Sequence, residues 1–108
     1  MKELAFDTDN CPIARISKVI QGKWTMVIIY LLSEGTLRFS EIRRRLPNVT
    51  EANLTKDLRL LESHGVVHRE VYPVVPPKVE YSLTEMGKDF LPILDSLNDW
   101  AEKYTANS

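Results

Sequence analysis

RFSEIRRRLPNVTEANLTKDLRLLESHGVVHREVYPVVPPKVEYSL, residues Arg38 to Leu83, is the stretch that decides how this chain folds. It reads as a short basic helix, a Pro-Asn turn, a second amphipathic helix and a proline-tipped β-hairpin. Helix, turn, helix and wing in that order present one helix to a DNA major groove and a hairpin to the flanking backbone.

The first helix spans Arg38 to Asn48, with Ser40 as N-cap and Glu41 in the first turn, where free amides favour an anion. Ile42 and Leu46 make an apolar stripe with Phe39, and Arg43, Arg44 and Arg45 lie mostly off it. Pro47 restricts the residue before it, so the helix is expected to end near Leu46. Thr50 is the next N-cap. At roughly 100° per residue, Leu54, Leu58 and Leu61 share one face, and Ala52, Lys56, Arg59 and Ser63 the opposite one, flanked by Asn53 and Thr55. Gly65 supplies the left-handed stop. An amide pairs bidentately with adenine, and Lys or Arg pairs with guanine or phosphate. A merely solvated helix face is the plainer alternative.

After Gly65 the pattern turns β-rich. Val66 to Tyr72 and Lys78 to Leu83 read as two strands, and Pro73-Val74-Val75-Pro76-Pro77 as a stiff projecting loop. Arg69 and Lys78 flank the projection as phosphate clamps, or serve as cross-strand charges near Glu70 and Glu80. Tyr72 and Tyr81 read as packing residues.

The composition bounds the rest. At 108 residues and 44% hydrophobic content, one small domain with a modest core is expected. No apolar run is long enough to span a membrane, and the N-terminus lacks a signal-peptide core, which predicts a cytoplasmic protein. One cysteine with His64 and His68 offers neither an internal disulfide nor a metal site, and nothing implies a cofactor. No paired carboxylates, nucleophile with a partnered base or phosphate loop points to catalysis. The net charge of −1 is unlike a nucleic-acid binder, but its distribution is uneven. Residues 38–69 hold seven Lys/Arg against four Asp/Glu, and residues 70–108 hold three against seven. The acidic C-terminal third should therefore face away from DNA.

From Thr84 onward, Met86, Phe90, Ile93, Leu97, Trp100 and Tyr104 recur at heptad spacing, with Leu94 and Ala101 widening the seam and Pro92 expected to kink it. So small a domain has little core to cover this stripe, which predicts packing on a symmetry mate through Phe90, Ile93, Leu94, Leu97, Trp100 and Tyr104; folding back on its own domain is the alternative. Near the other end, Pro12 suits a first helical position and sets Cys11 at the N-cap of an amphipathic segment carrying Ile13, Ile16, Val19 and Ile20. Helix amides there favour a thiolate, making Cys11 a redox-sensing candidate, alternatively a small apolar residue at an edge. Gln21-Gly22 breaks the chain before a buried central helix, Lys23 to Leu32, with Trp24 as a core aromatic.

Cys11-Pro12, Gly22-Lys23-Trp24-Thr25, Arg38-Phe39-Ser40-Glu41-Ile42, Leu54-Thr55, Leu58, Leu61-Glu62, Gly65, Tyr72, Val75-Pro76-Pro77, Val79-Glu80-Tyr81, Leu83-Thr84 and Gly87 resemble the HxlR-type, MarR-related bacterial regulators over residues 11–103. With the reading of the residues, the resemblance gives a mainly α winged helix-turn-helix domain across residues 1–108, with the helix-turn-helix at about 38–65, the wing at about 66–83 and N- and C-terminal dimerisation helices, the latter at about 84–105. It implies a homodimer on a pseudo-palindromic operator of double-stranded DNA, usually repressing, and in some members a thiol sensor at the position of Cys11. The candidate DNA contacts are Arg38, Ser40, Arg43, Arg44, Thr50, Ala52, Asn53, Thr55, Lys56, Arg59, Arg69 and Lys78. Similar members often carry a basic residue in the first turn of the reading helix. Here Ala52 stands beside Glu51, so contacts lean on Asn53, Thr55, Lys56 and Arg59. A small-molecule effector is not named by the sequence. The competing function is a winged-helix protein-interaction module that does not bind DNA.

Overall fold

A computed structural model describes residues 5–105. A single 3₁₀ turn, Thr8–Asn10, leads into α1 (Pro12–Ser17), α2 (Thr25–Leu32), β1 (Leu37–Arg38), α3 (Phe39–Arg45), α4 (Glu51–Ser63), β2 (Val67–Tyr72), β3 (Lys78–Leu83) and α5 (Glu85–Tyr104). The result is a winged-helix fold, mainly helical, with one three-stranded antiparallel sheet.

The apolar periodicity of the helices accounts for the core. Ile28 and Ile29 of α2, Ile42 of α3 and Leu54, Leu58 and Leu61 of α4 meet in its centre, with Val49 filling the turn between α3 and α4. The seam expected on α4 is thus the buried one. Thr50 caps α4, its hydroxyl accepting from the Asn53 amide at 3.1 Å. The helix stops where Gly65 takes φ +77°, a conformation costly for residues bearing a Cβ.

The sheet is ordered β1-β3-β2, with β3 central. β2 and β3 pair from Val67 opposite Leu83 to Tyr72 opposite Lys78, as expected for the hairpin. β1 was not foreseen. It places Leu37 opposite Tyr81 and Arg38 opposite Glu80, so Arg38 ends a strand rather than opening a helix. Ser40 is correspondingly the second residue of α3 and not its N-cap. Arg38 holds that position, and Glu41 closes the turn by accepting the Arg38 amide at 2.7 Å. The helix then ends at Arg45, with Leu46 as C-cap, as Pro47 requires.

Two further expectations shift. The central helix starts at Thr25, with Trp24 half-buried at its N-cap, so Lys23 lies outside it. In the first amphipathic segment the helix ends at Ser17. Val19 reaches the core and Ile16 and Ile20 pack against it, but Ile13 is 76% exposed.

α5 stands on the corner where α4 gives way to β2. Thr84 caps it by accepting from the Gly87 amide at 3.2 Å, and donates its hydroxyl to the carbonyls of Gly65 and Val66. The helix continues unbroken through Pro92, whose missing N–H deprives the Lys88 carbonyl of its helical donor. None of the helices described is long and apolar enough to cross a membrane.

Candidate nucleic-acid interface

The outward face of α4 is assembled by the same residues that bury its inner one. With Leu54, Leu58 and Leu61 held in the core, helical periodicity turns Ala52, Asn53, Lys56 and Arg59 to solvent, and Thr55 sits half-buried at the edge. Among the described residues, Lys56 and Arg59 make no ion pair, so their charges are available to a ligand.

The three arginines of α3 are not equivalent. Arg43 is half-buried and donates from Nη1 to the Val49 carbonyl at 2.6 Å, closing the turn that leads into α4. Arg45 makes a bidentate pair with Glu34 at 3.0 and 2.9 Å. Hydrogen bonding to Arg45, helped by its charge, holds the Glu34 carboxyl below its ordinary pKa. Arg44 alone is both exposed and unpaired among the described residues. Of the α3 candidates, Arg43 is therefore first a structural bolt and Arg44 an open cation. Arg38 and Ser40 are exposed at the start of α3, beside the loop that joins β2 to β3. Thr50 is exposed too, but its hydroxyl is engaged as the cap of α4.

On the wing the two clamp candidates also part. Lys78 lies 3.4 Å from a carboxylate oxygen of Glu80, two residues along the same strand, and 4.6 Å from the centre of the Tyr72 ring opposite it, so its charge is already engaged. The same Glu80 carboxylate, as hydrogen-bond acceptor and as charge, raises the pKa of Tyr72. Arg69, opposite Tyr81, is exposed and unpaired among the described residues. Tyr81 is buried against Phe39, with ring centres 6.5 Å apart, whereas Tyr72 is partly exposed. The loop tip is uncharged, and Val75 is 98% exposed.

Along α5, Met86, Ile93, Leu97, Trp100 and Tyr104 are exposed, and the last two rings pack at a tilt with centres 5.3 Å apart. Leu94 corrects the expected interface set. It is 5% exposed and belongs to the chain's own core, against which Phe90 also packs. Cys11 is half-buried at the N-cap of α1, with Pro12 at the first helical position. Asp57, absent from every expectation, is 4% exposed on α4 and accepts the Trp24 amide at 3.0 Å. A polar residue beside a leucine seam gives no periodic signal of burial. Among the described residues no cluster of three or more His, Cys, Asp or Glu is arranged to hold a metal.

The model of the HxlR-like helix-turn-helix family matches residues 19–108. The chain belongs to the HxlR family. As a member it is a transcriptional regulator of HxlR/MarR type rather than an enzyme. It is 51% identical over 102 residues to an HTH-type transcriptional regulator of Methanothermobacter thermautotrophicus, covering 94% of this chain and 78% of that one. The redox regulator HypR in its oxidised form superposes with a TM-score of 0.79 at 48% identity, covering 86% of this HxlR-family chain and 96% of that one. The reduced form of YodB from Bacillus subtilis superposes with a TM-score of 0.76 at 31% identity, covering 89% and 95%.

Proposed function

We propose that this HxlR-family regulator is a homodimer that binds a pseudo-palindromic operator in double-stranded DNA and represses transcription. α4 enters the major groove and the wing lies along the flanking backbone. The observation that carries the reading is the outward face of α4, where Asn53, Lys56 and Arg59 are exposed and the two cations are unpaired on a helix capped firmly at both ends. Asn53 suits adenine, Lys56 and Arg59 suit guanine or phosphate, and Ala52 and Thr55 suit a thymine methyl. Arg44 and Arg69 are the backbone contacts, with Arg38, Ser40, Thr50 and Lys78 in supporting positions. Two such chains would join through Ile93, Leu97, Trp100 and Tyr104 of α5, four large apolar side chains exposed along one helix.

Binding to the DNA upstream of the protein's own gene, measured across a salt series, tests this. Each phosphate contact contributes about 0.9 to the salt slope. Lys56→Ala and Arg59→Ala are expected to weaken binding. Affinity and slope both equal to wild type would return α4 to the status of a solvated face and favour the protein-interaction alternative.

A second reading concerns the signal. HypR is a redox regulator solved in oxidised and reduced forms, and YodB has been solved after diamide treatment. Cys11, half-buried at the start of α1, is the thiol available for such a role here. Diamide should release operator from the wild type and not from Cys11→Ser; identical responses would end this reading.

A further inference from the structure

We propose that Asp57 is a positioning residue of the reading helix. Its carboxyl fixes the rotation of α4 about its own axis against the Gly22–Trp24 turn, and thereby sets how sharply the protein separates its operator from other DNA. This rests on α4 being the reading helix, as proposed above.

The leucine seam of α4 cannot fix that rotation alone. Burial of Leu54, Leu58 and Leu61 is favourable but non-directional, and it tolerates a small roll. Asp57 lies about 60° round the helix from Leu54, between the seam and Asn53. It is the one buried acid of α4, since Glu51 and Glu62 are exposed. A buried carboxyl is costly unless it is hydrogen-bonded. Its partner is directional: Oδ2 accepts the Trp24 amide at 3.0 Å, one of the free donors at the start of α2.

The receiving turn is shaped for it. A Cβ on Gly22 would stand 2.4 Å from Asp57 Oδ1 and 2.8 Å from its Cγ, so the carboxyl reaches the turn only because residue 22 has no side chain. Thr25, fully buried, donates its hydroxyl to the Gly22 carbonyl at 3.0 Å and holds the turn in place. The reading helix is thus pinned to α2 by one oriented bond.

Asn53 lies one turn before Asp57 and Lys56 immediately before it. Side-chain atoms ride about 5–6 Å from a helix axis, so a 10° roll moves the reading atoms by about 1 Å. Base-edge hydrogen bonds do not survive such a shift, whereas long basic side chains still reach phosphates. Loss of the pin should therefore reduce discrimination more than it reduces attraction to DNA.

Operator and random duplexes are titrated by fluorescence anisotropy at two salt concentrations, with circular dichroism confirming folding. Asp57→Ala should weaken operator binding about tenfold, the size of one lost bidentate base contact, with random-DNA affinity within about twofold of wild type. Asp57→Asn retains an acceptor for the Trp24 amide and should stay near wild type. Gly22→Ala keeps the carboxyl but displaces it, and should reproduce the loss of discrimination; it carries the test if Asp57→Ala does not fold. Equal losses on both duplexes, full discrimination in Gly22→Ala, or Asp57→Asn as impaired as Asp57→Ala would overturn the proposal. Lys56→Ala separates the two readings. If it weakens binding while the Asp57 variants discriminate normally, only the pin fails; if it changes nothing, α4 is not the reading helix and both fall.

Discussion

Alanine in place of Gly87 sets two magnitudes against each other. Gly87 occupies the first turn of α5, where alanine is favoured by about 1 kcal/mol on helix propensity alone. The surroundings argue the opposite. A Cβ there would stand 2.4 Å from the Val66 carbonyl oxygen and 3.1 Å from Leu83 Cδ2. Ordinary C···O contacts lie at about 3.3–3.6 Å, so α5 and the corner must part by about 1 Å. That carbonyl also accepts from the Thr84 amide and hydroxyl, both at 3.1 Å, and the hydroxyl caps α5. Overpacking costs about 1–3 kcal/mol and a weakened cap about 1 kcal/mol more. The steric terms win by about 2 kcal/mol. For a domain of this size that is a fall in melting temperature of about 8–16 °C. Thermal melts followed by circular dichroism, with urea unfolding as an independent measure, read it directly. A Gly87→Ala protein melting at or above wild type would refute the reasoning, because the corner would then yield freely and propensity would decide.

The remaining expectations concern separate parts of the fold. Thr50→Ala removes the cap of α4 and should destabilise by about 1 kcal/mol in urea unfolding. Arg43→Ala should lower stability by about 1.5 kcal/mol through loss of its bond to the Val49 carbonyl. Arg44→Ala should leave stability alone and flatten the salt slope of DNA binding by about 0.9. Glu34, its pKa lowered by hydrogen bonding to Arg45, favours the folded state above the ordinary carboxylate value of 4.5 and ceases to do so as pH falls through its depressed folded value. The stability gap between wild type and Arg45→Gln should therefore be open at pH 7 and close below pH 4.5; a gap independent of pH would assign it to packing. Leu97→Asp on the exposed face of α5 should give a folded monomer in sedimentation, and an unchanged dimer would move the interface elsewhere.

What was legible in the sequence is what neighbouring residues specify among themselves. Thr50 and Gly65 bound α4 because caps act within a few residues, and the branched and aromatic residues on either side of Pro73 to Pro77 marked the two strands of the hairpin. What depends on distant partners was not legible. Two residues of β1 form a strand only because β3 offers its free edge, which demoted Ser40 from cap to second helical residue. Arg43 and Arg45 have the same local setting as Arg44, and only Val49 and Glu34 distinguish them. Leu94 belongs by spacing to a stripe shared with Ile93 and Leu97, yet it is the member of that stripe which turns inward. Asp57 was hidden for the same reason, its partner lying 33 residues earlier.

The Thr84 corner makes α5 a lever. The helix begins on the carbonyls of Gly65 and Val66, just past the end of α4, and is seated again where Leu94 enters the core, so the residues from Asp95 to Tyr104 project about 15 Å beyond that second support. A tilt of about 6° there displaces the far end, with Trp100 and Tyr104, by about 1.5 Å. If two chains join along α5 as proposed, the distance between their two α4 helices would be a length encoded in the seating of Trp100 and Tyr104.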